Sequence, residues 1–290
     1  MKSEGSAKAF RTVVALSNQD FQAAAINPKT SAADIWTAWI WRFLVRRVFS
    51  DTGAIQFYSS KGEDAAYYMH NINEIDYLMQ KADAGEFGVY ARRLWKRQAL
   101  SALFRTTKHS WLDKTRAAKV EQLSKHLVKV FQVFVKPMAD GAALALARRI
   151  FTAAARLNEY MMTEANDIWS VDLDGVTGTD QDFYNNLDDM DLKPLGTHTA
   201  LRDNLPLENI RSRLGPDLIK QRLTKLCVLS PAIRFRHIAP EGDGYQAPVT
   251  LVKPLVLVSL SEADGVENIH DQASHGDMIF YTMAQSLGLC

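Results

Sequence analysis

Residues 31–49 read SAADIWTAWIWRFLVRRVF, and the architecture follows outward from this stretch. Ser31 is a helix N-cap residue ahead of Ile35-Trp36-Thr37-Ala38-Trp39-Ile40-Trp41, and the apolar run continues to Phe49. Only Arg42, Arg46 and Arg47 interrupt it, so the segment predicts a central, buried helix. Three arginines and its short length argue against a bilayer span. Ser60 and Glu63 form a capping-box pattern for a second helix, with Met69, Ile72, Leu78 and Met79 inward and Gly85 at its end. A third helix is expected over 87–107. Ser110 and Asp113 open a fourth, which Pro137 stops, and the Ala-rich 142–169 makes a fifth. Residues 31–169 therefore read as a helical body.

The flanks read differently. Residues 1–30 are mixed and polar, an N-terminal arm expected to dock on a neighbouring subunit. Residues 170–204, with Gly175, Gly178, Pro194 and Gly196, have no sustained period and predict a long acidic connection. Residues 205–290 are expected to form a smaller α+β region. Its elements are helices at 205–214 and 216–228, a half-buried strand around Ile233-Arg234-Phe235-Arg236-His237, a turn at Gly242-Asp243-Gly244, and a β-rich 249–260. Pro254 demotes that last run to an edge or bulged strand, and 278–287 reads as a final helix. The fold class is mainly α, a body of about five helices with a C-terminal α+β part that contains a β-hairpin.

Composition narrows the class. The chain has 290 residues, 47% apolar and 23% charged, with only 15 glycines and nine prolines. That excludes a collagen-like or low-complexity chain. Two cysteines, Cys227 and Cys290, exclude a disulfide scaffold and a multi-cysteine zinc site. No apolar run suits a signal peptide in residues 1–16, and none reaches 18 residues, so a soluble, intracellular protein without membrane contact is expected.

The formal charge of +1 conceals a sorting along the chain. From Arg92 to Lys129 there are eleven Lys and Arg against Asp113 and Glu121 alone; from Glu159 to Asp191 there are ten acids and no Lys or Arg. On the third helix Arg92, Arg93, Lys96, Arg97, Arg105 and Lys108 crowd together. On the fourth, Lys119, Lys125 and Lys129 join Gln122, His126, Gln132 and Lys136 in a polar stripe. Exposed helices ordinarily alternate signs, because like charges at i,i+4 repel. A phosphate backbone supplies the missing relief, and Tyr90, Trp95, Phe104 and Trp111 lie interleaved for base stacking. The competing reading is that these rings are core and the cations pair with the 159–191 acids, or present a basic face to an acidic protein partner.

A second constellation is Val171-Asp172-Leu173-Asp174-Gly175-Val176. It resembles the first motif of the haloacid dehalogenase-like phosphatases, and Gly276-Asp277 followed by Met283-Ala284 is similar to their last. The resemblance implies a phosphate-acting hydrolase centred on Asp172, Asp174 and Asp277, with Asp172 as nucleophile, Asp174 as acid/base and a magnesium ion between carboxylates and phosphate. Phe280 and Tyr281 stand where the last motif has its second acid, and Ser230 and Lys253 are poorly placed for the remaining motifs. His270, Asp271, His275 and Asp277 are the densest group of metal-ligating types, but histidines five apart do not share a helical face. No phosphate-binding glycine loop, nucleophile elbow or HExxH is present. The expectation is a non-enzymatic, self-associating protein that binds single-stranded nucleic acid without a cofactor. It is coat- or nucleocapsid-like, RNA-binding and part of a nucleoprotein assembly, with the hydrolase and the adaptor as alternatives.

Overall fold

The computed structural model describes residues 32–50, 65–82, 88–106, 110–134, 140–164, 166–173, 180–194, 216–238 and 246–260. Five long helices dominate: α1 (Ala32–Leu44), α2 (Ala65–Lys81), α3 (Val89–Thr106), α4 (Ser110–Phe134) and α5 (Asp140–Thr163). They are followed by β1 (Asp167–Asp172), α6 (Asp180–Asn185), β2 (Asp191–Pro194), α7 (Pro216–Arg222), β3 (Leu223–Ser230), β4 (Ala232–His237), β5 (Val249–Val252) and β6 (Leu255–Leu260). The protein is mainly α with a C-terminal α+β part, as the hydrophobic periodicity indicates. The arm at 1–30, the 205–214 helix, the 278–287 helix and the histidine-aspartate group at 270–277 lie outside the described residues.

The chain forms two compact units, each discontinuous: residues 1–43, 172–233 and 252–290 in one, 44–171 and 234–251 in the other. In the first, β6 is central to a sheet ordered β2-β6-β3, parallel to β2 and antiparallel to β3. Phe183, Leu187, Met190, Leu192, Ile219, Leu223, Val228, Val256 and Val258 form its core. Helix α1 is tied to the same sheet. Its buried Arg42 donates to the carbonyl of Val228 at 2.9 Å, and its Asp34 pairs with Lys193 of β2. Trp39 and Phe43 are buried, their rings 5.5 Å apart.

Four expectations are corrected here. Residues 216–228 are not one helix, because α7 ends at Arg222 and Leu223 starts β3. Two register shifts against β6 leave Leu226 and Leu229 as extra residues, so Leu226 through Leu229 are all buried. The bulges erase the alternation that marks a strand in sequence. The fifth helix stops at Thr163 instead of 169: the Thr163 hydroxyl bonds the carbonyls of Glu159 and Tyr160, and Ile168 and Trp169 join β1. The 249–260 run is two strands. Pro254 has no N–H for a ladder, and the strands on either side of it belong to different sheets. Within 170–204, β1, α6 and β2 supply ordered structure, so this stretch is not a featureless connection.

The second unit holds α2 to α5 and a sheet ordered β1-β4-β5. The expected hairpin is β4 and β5, and the Gln246 N–H donates to the His237 carbonyl between them. Helix α5 is the hub, packing on both α3 and α4, while α2 packs on α3. The chain from Val45 to Phe49 widens into a π-turn against α5, closed by the Ser50 N–H on the Val45 carbonyl. Phe151 of α5 is fully buried. Truncation there leaves a cavity in the hub, so Phe151→Ala is expected to cost about 3–5 kcal/mol in urea unfolding and Phe151→Leu distinctly less. Equal and small losses for both variants would contradict the hub.

Candidate nucleic-acid interface

The basic helices carry more acidic relief than their own sequences suggest. Asp76 of α2 reaches both Arg92, at 3.1 Å, and Lys96, at 2.8 Å. Glu121 of α4 accepts two hydrogen bonds from Arg148 of α5, at 2.7 and 3.0 Å, and pairs with Lys125 one turn along its own helix. Glu159 of α5 takes Arg116 of α4 in the same bidentate fashion, at 2.6 and 2.9 Å, and Asp113 holds the third guanidinium nitrogen at 2.7 Å. The Arg116–Glu159 pair joins the basic and acidic blocks directly.

These pairs sort the candidate residues. Arg92, Lys96 and Lys125 have carboxylate partners, and Arg93 is half-buried and engaged within the fold. Lys119 is half-buried, and burial first, then the Arg47 charge beside it, lower its pKa. Lys108 lies outside the described residues. Arg97, Arg105 and Lys129 are exposed and meet no carboxylate among the described residues. So are Lys114 of α4 and Arg149 and Arg156 of α5, which charge counting within 92–129 could not single out as a set. A sequence signal for the α5 pair exists: residues seven apart share a helical face.

An open groove of about 370 Å³ lies between α3 and α5, lined by Ser101, Phe104 and Arg105 from α3 and by Arg156, Glu159, Tyr160 and Thr163 from α5. Of the expected cations among the described residues it takes Arg105 alone, and Arg93, Arg97, Lys119 and Lys125 do not line it. Of the interleaved rings, Phe104 lines the groove while Tyr90 and Trp95 are half-buried.

For the alternative chemistry, Asp172 ends β1 half-buried, and Asp174 and Asp277 lie outside the described residues. No group of three metal-ligating side chains occurs among the described residues, and no described helix is long and apolar enough to cross a membrane. No family model, curated protein or solved structure matches the chain.

The Glu121 cluster makes a direct test of the pairing. Hydrogen bonds from Arg148, then from Lys125, hold its carboxyl down to about 2. A carboxyl lowered by folding adds stability above its unfolded value of about 4.3, and that stability is lost as pH falls from there towards 2. Carboxyl-detected NMR titration is expected to show Glu121 far below the exposed glutamates and shifted upward in Arg148→Ala. An ordinary midpoint in the unaltered protein would exclude the pair.

Proposed function

We propose that the protein is a non-enzymatic, self-associating, nucleic-acid-binding protein of the coat or nucleocapsid kind, with the helical unit as its binding surface. One observation carries this reading. After the local acids are consumed in pairs, Arg97, Arg105, Lys114, Lys129, Arg149 and Arg156 remain exposed without a carboxylate among the described residues. Exposed cations that no carboxylate neutralises can take phosphates through direct contacts and counterion release. Cation-to-phosphate contacts position a strand without reading its bases, so binding is expected to be largely sequence-independent.

Self-association draws on a different face. Tyr67, Tyr68, Ile75, Tyr77 and Leu78 of α2 are exposed, Tyr67 by 65%. Large apolar and aromatic side chains exposed on one helix mark a candidate interaction surface. The occupant proposed is a second copy of α2. An antiparallel, isologous pair centred between Tyr77 and Leu78 sets Glu74 of one copy against Lys81 of the other, so the face complements itself in charge. Both halves of the 249–260 run pair within the chain, β5 with β4 and β6 with β2 and β3.

Two measurements test these readings. Fluorescence anisotropy with a labelled single-stranded oligonucleotide is expected to show affinity that falls with salt, by a log–log slope of about −0.7 for each phosphate contacted. Arg97→Glu with Lys129→Glu weakens every sequence alike. No binding at low salt, or affinity indifferent to salt, would sink the reading. Light scattering at tens of micromolar is expected to show a dimer or larger species, and Tyr77→Ser with Leu78→Ser reduces its size. A monomer throughout, with and without the oligonucleotide, would remove self-association.

A further inference from the structure

The α3–α5 groove differs from the rest of the basic surface because it combines charge with an exposed aromatic ring. Tyr160 is 54% exposed on its wall. The ring is not free to swing. It meets Trp169 of β1 in a T-shaped pair, with centroids 6.0 Å apart. Trp169 packs on Phe235 of β4 at 5.2 Å, and Phe235 on His237 at 5.0 Å. His237 in turn pairs with Asp167 of β1. Four rings in a row, anchored to the sheet, hold Tyr160 at the groove, so little side-chain entropy is left to lose when a second ring stacks on it.

The groove's electrostatics favour an anion despite the glutamate on its wall. Both carboxylate oxygens of Glu159 are occupied by Arg116. Arg105 and Arg156, on opposite walls, keep their charge without a carboxylate among the described residues. The Thr163 hydroxyl is committed to helix carbonyls, while Ser101 leaves a hydroxyl for the ligand. A volume of about 370 Å³ suits one small ligand. A flat π-face, two guanidinium groups and one hydroxyl match the parts of a nucleotide: a base to stack, a phosphate to bind bidentately, and a sugar to hydrogen-bond.

We propose that the groove between α3 and α5 holds one nucleotide of a single strand, its base stacked on Tyr160 and its phosphate held by Arg105 and Arg156. The site rests on the nucleic-acid reading above and deepens it: the exposed cations attract any polyanion, whereas the groove selects a strand whose bases are unpaired and can be splayed out.

The test compares a thymidine oligonucleotide with an abasic strand of equal length and charge, using the full chain. The unaltered protein is expected to prefer the thymidine strand by about fivefold or more, the effect of a stacked base. Tyr160→Ala brings the two strands to parity, and Tyr160→Phe keeps the preference. Arg105→Ala with Arg156→Ala lowers the salt slope by about 1.4, about 0.7 for each guanidinium removed from a phosphate. Strand binding that shows no preference for bases, or a preference that Tyr160→Ala leaves intact, overturns the groove assignment and leaves the broader reading standing. So does displacement of the strand by poly-glutamate of equal charge, which would make the groove a site for an acidic peptide. A free mononucleotide that competes at the same nucleotide concentration overturns the assignment to a strand. No binding of any strand at low salt overturns both.

Discussion

A proline nitrogen has no hydrogen to place in a β-ladder, and two prolines use that fact to divide the C-terminal part of this chain. Pro231 separates β3 from β4, and Pro254 separates β5 from β6. In each case the strand before the proline and the strand after it belong to different sheets. The consequence reaches the helices. Residues 234–251, bracketed by the two prolines, cluster with 44–171, and the strands outside that bracket cluster with 1–43. Trp169, Phe235 and His237 can therefore form one ring stack behind Tyr160, although Trp169 and Phe235 are far apart along the chain.

Charge is organised by the same tertiary logic. Asp76, Glu121 and Glu159 each neutralise two cations or one guanidinium held bidentately. Pairs exposed to water contribute little to stability by themselves. Their effect here is to fix which cations are spent. Arg92, Lys96, Arg116 and Arg148 join helix to helix, Lys125 pairs within α4, and Arg97, Arg105, Lys114, Lys129, Arg149 and Arg156 are exposed. A surface built this way separates two tasks that a simple count of lysine and arginine merges, internal pairing and availability to an external anion.

Much of the helical body is legible along the chain. The all-round apolar character of 31–49, the Ser110 start, the glycine and proline stops and the alanine-rich fifth segment are local signals, and α1 to α5 sit close to where those signals place them. The split of charge into a basic and an acidic block is likewise a property of the sequence alone. What hid the sheets is also physical. Two bulges bury four successive residues from Leu226 to Leu229, so β3 reads like the continuation of a helix.

The amino-acid order by itself determined a mainly α chain, its five long helices, and a cationic surplus in the third and fourth, because propensity, capping and periodicity act over a few residues. Only the tertiary structure decided which cations keep their charge unopposed and where the groove lies. Asp76 reaches α3 from α2, and Arg148 reaches α4 from α5. Arg105 and Arg156 line one groove from helices that are neighbours only after folding. Such partners are set by which helices pack together, α2 on α3 and α5 on α3 and α4, and packing is not a function of sequence separation.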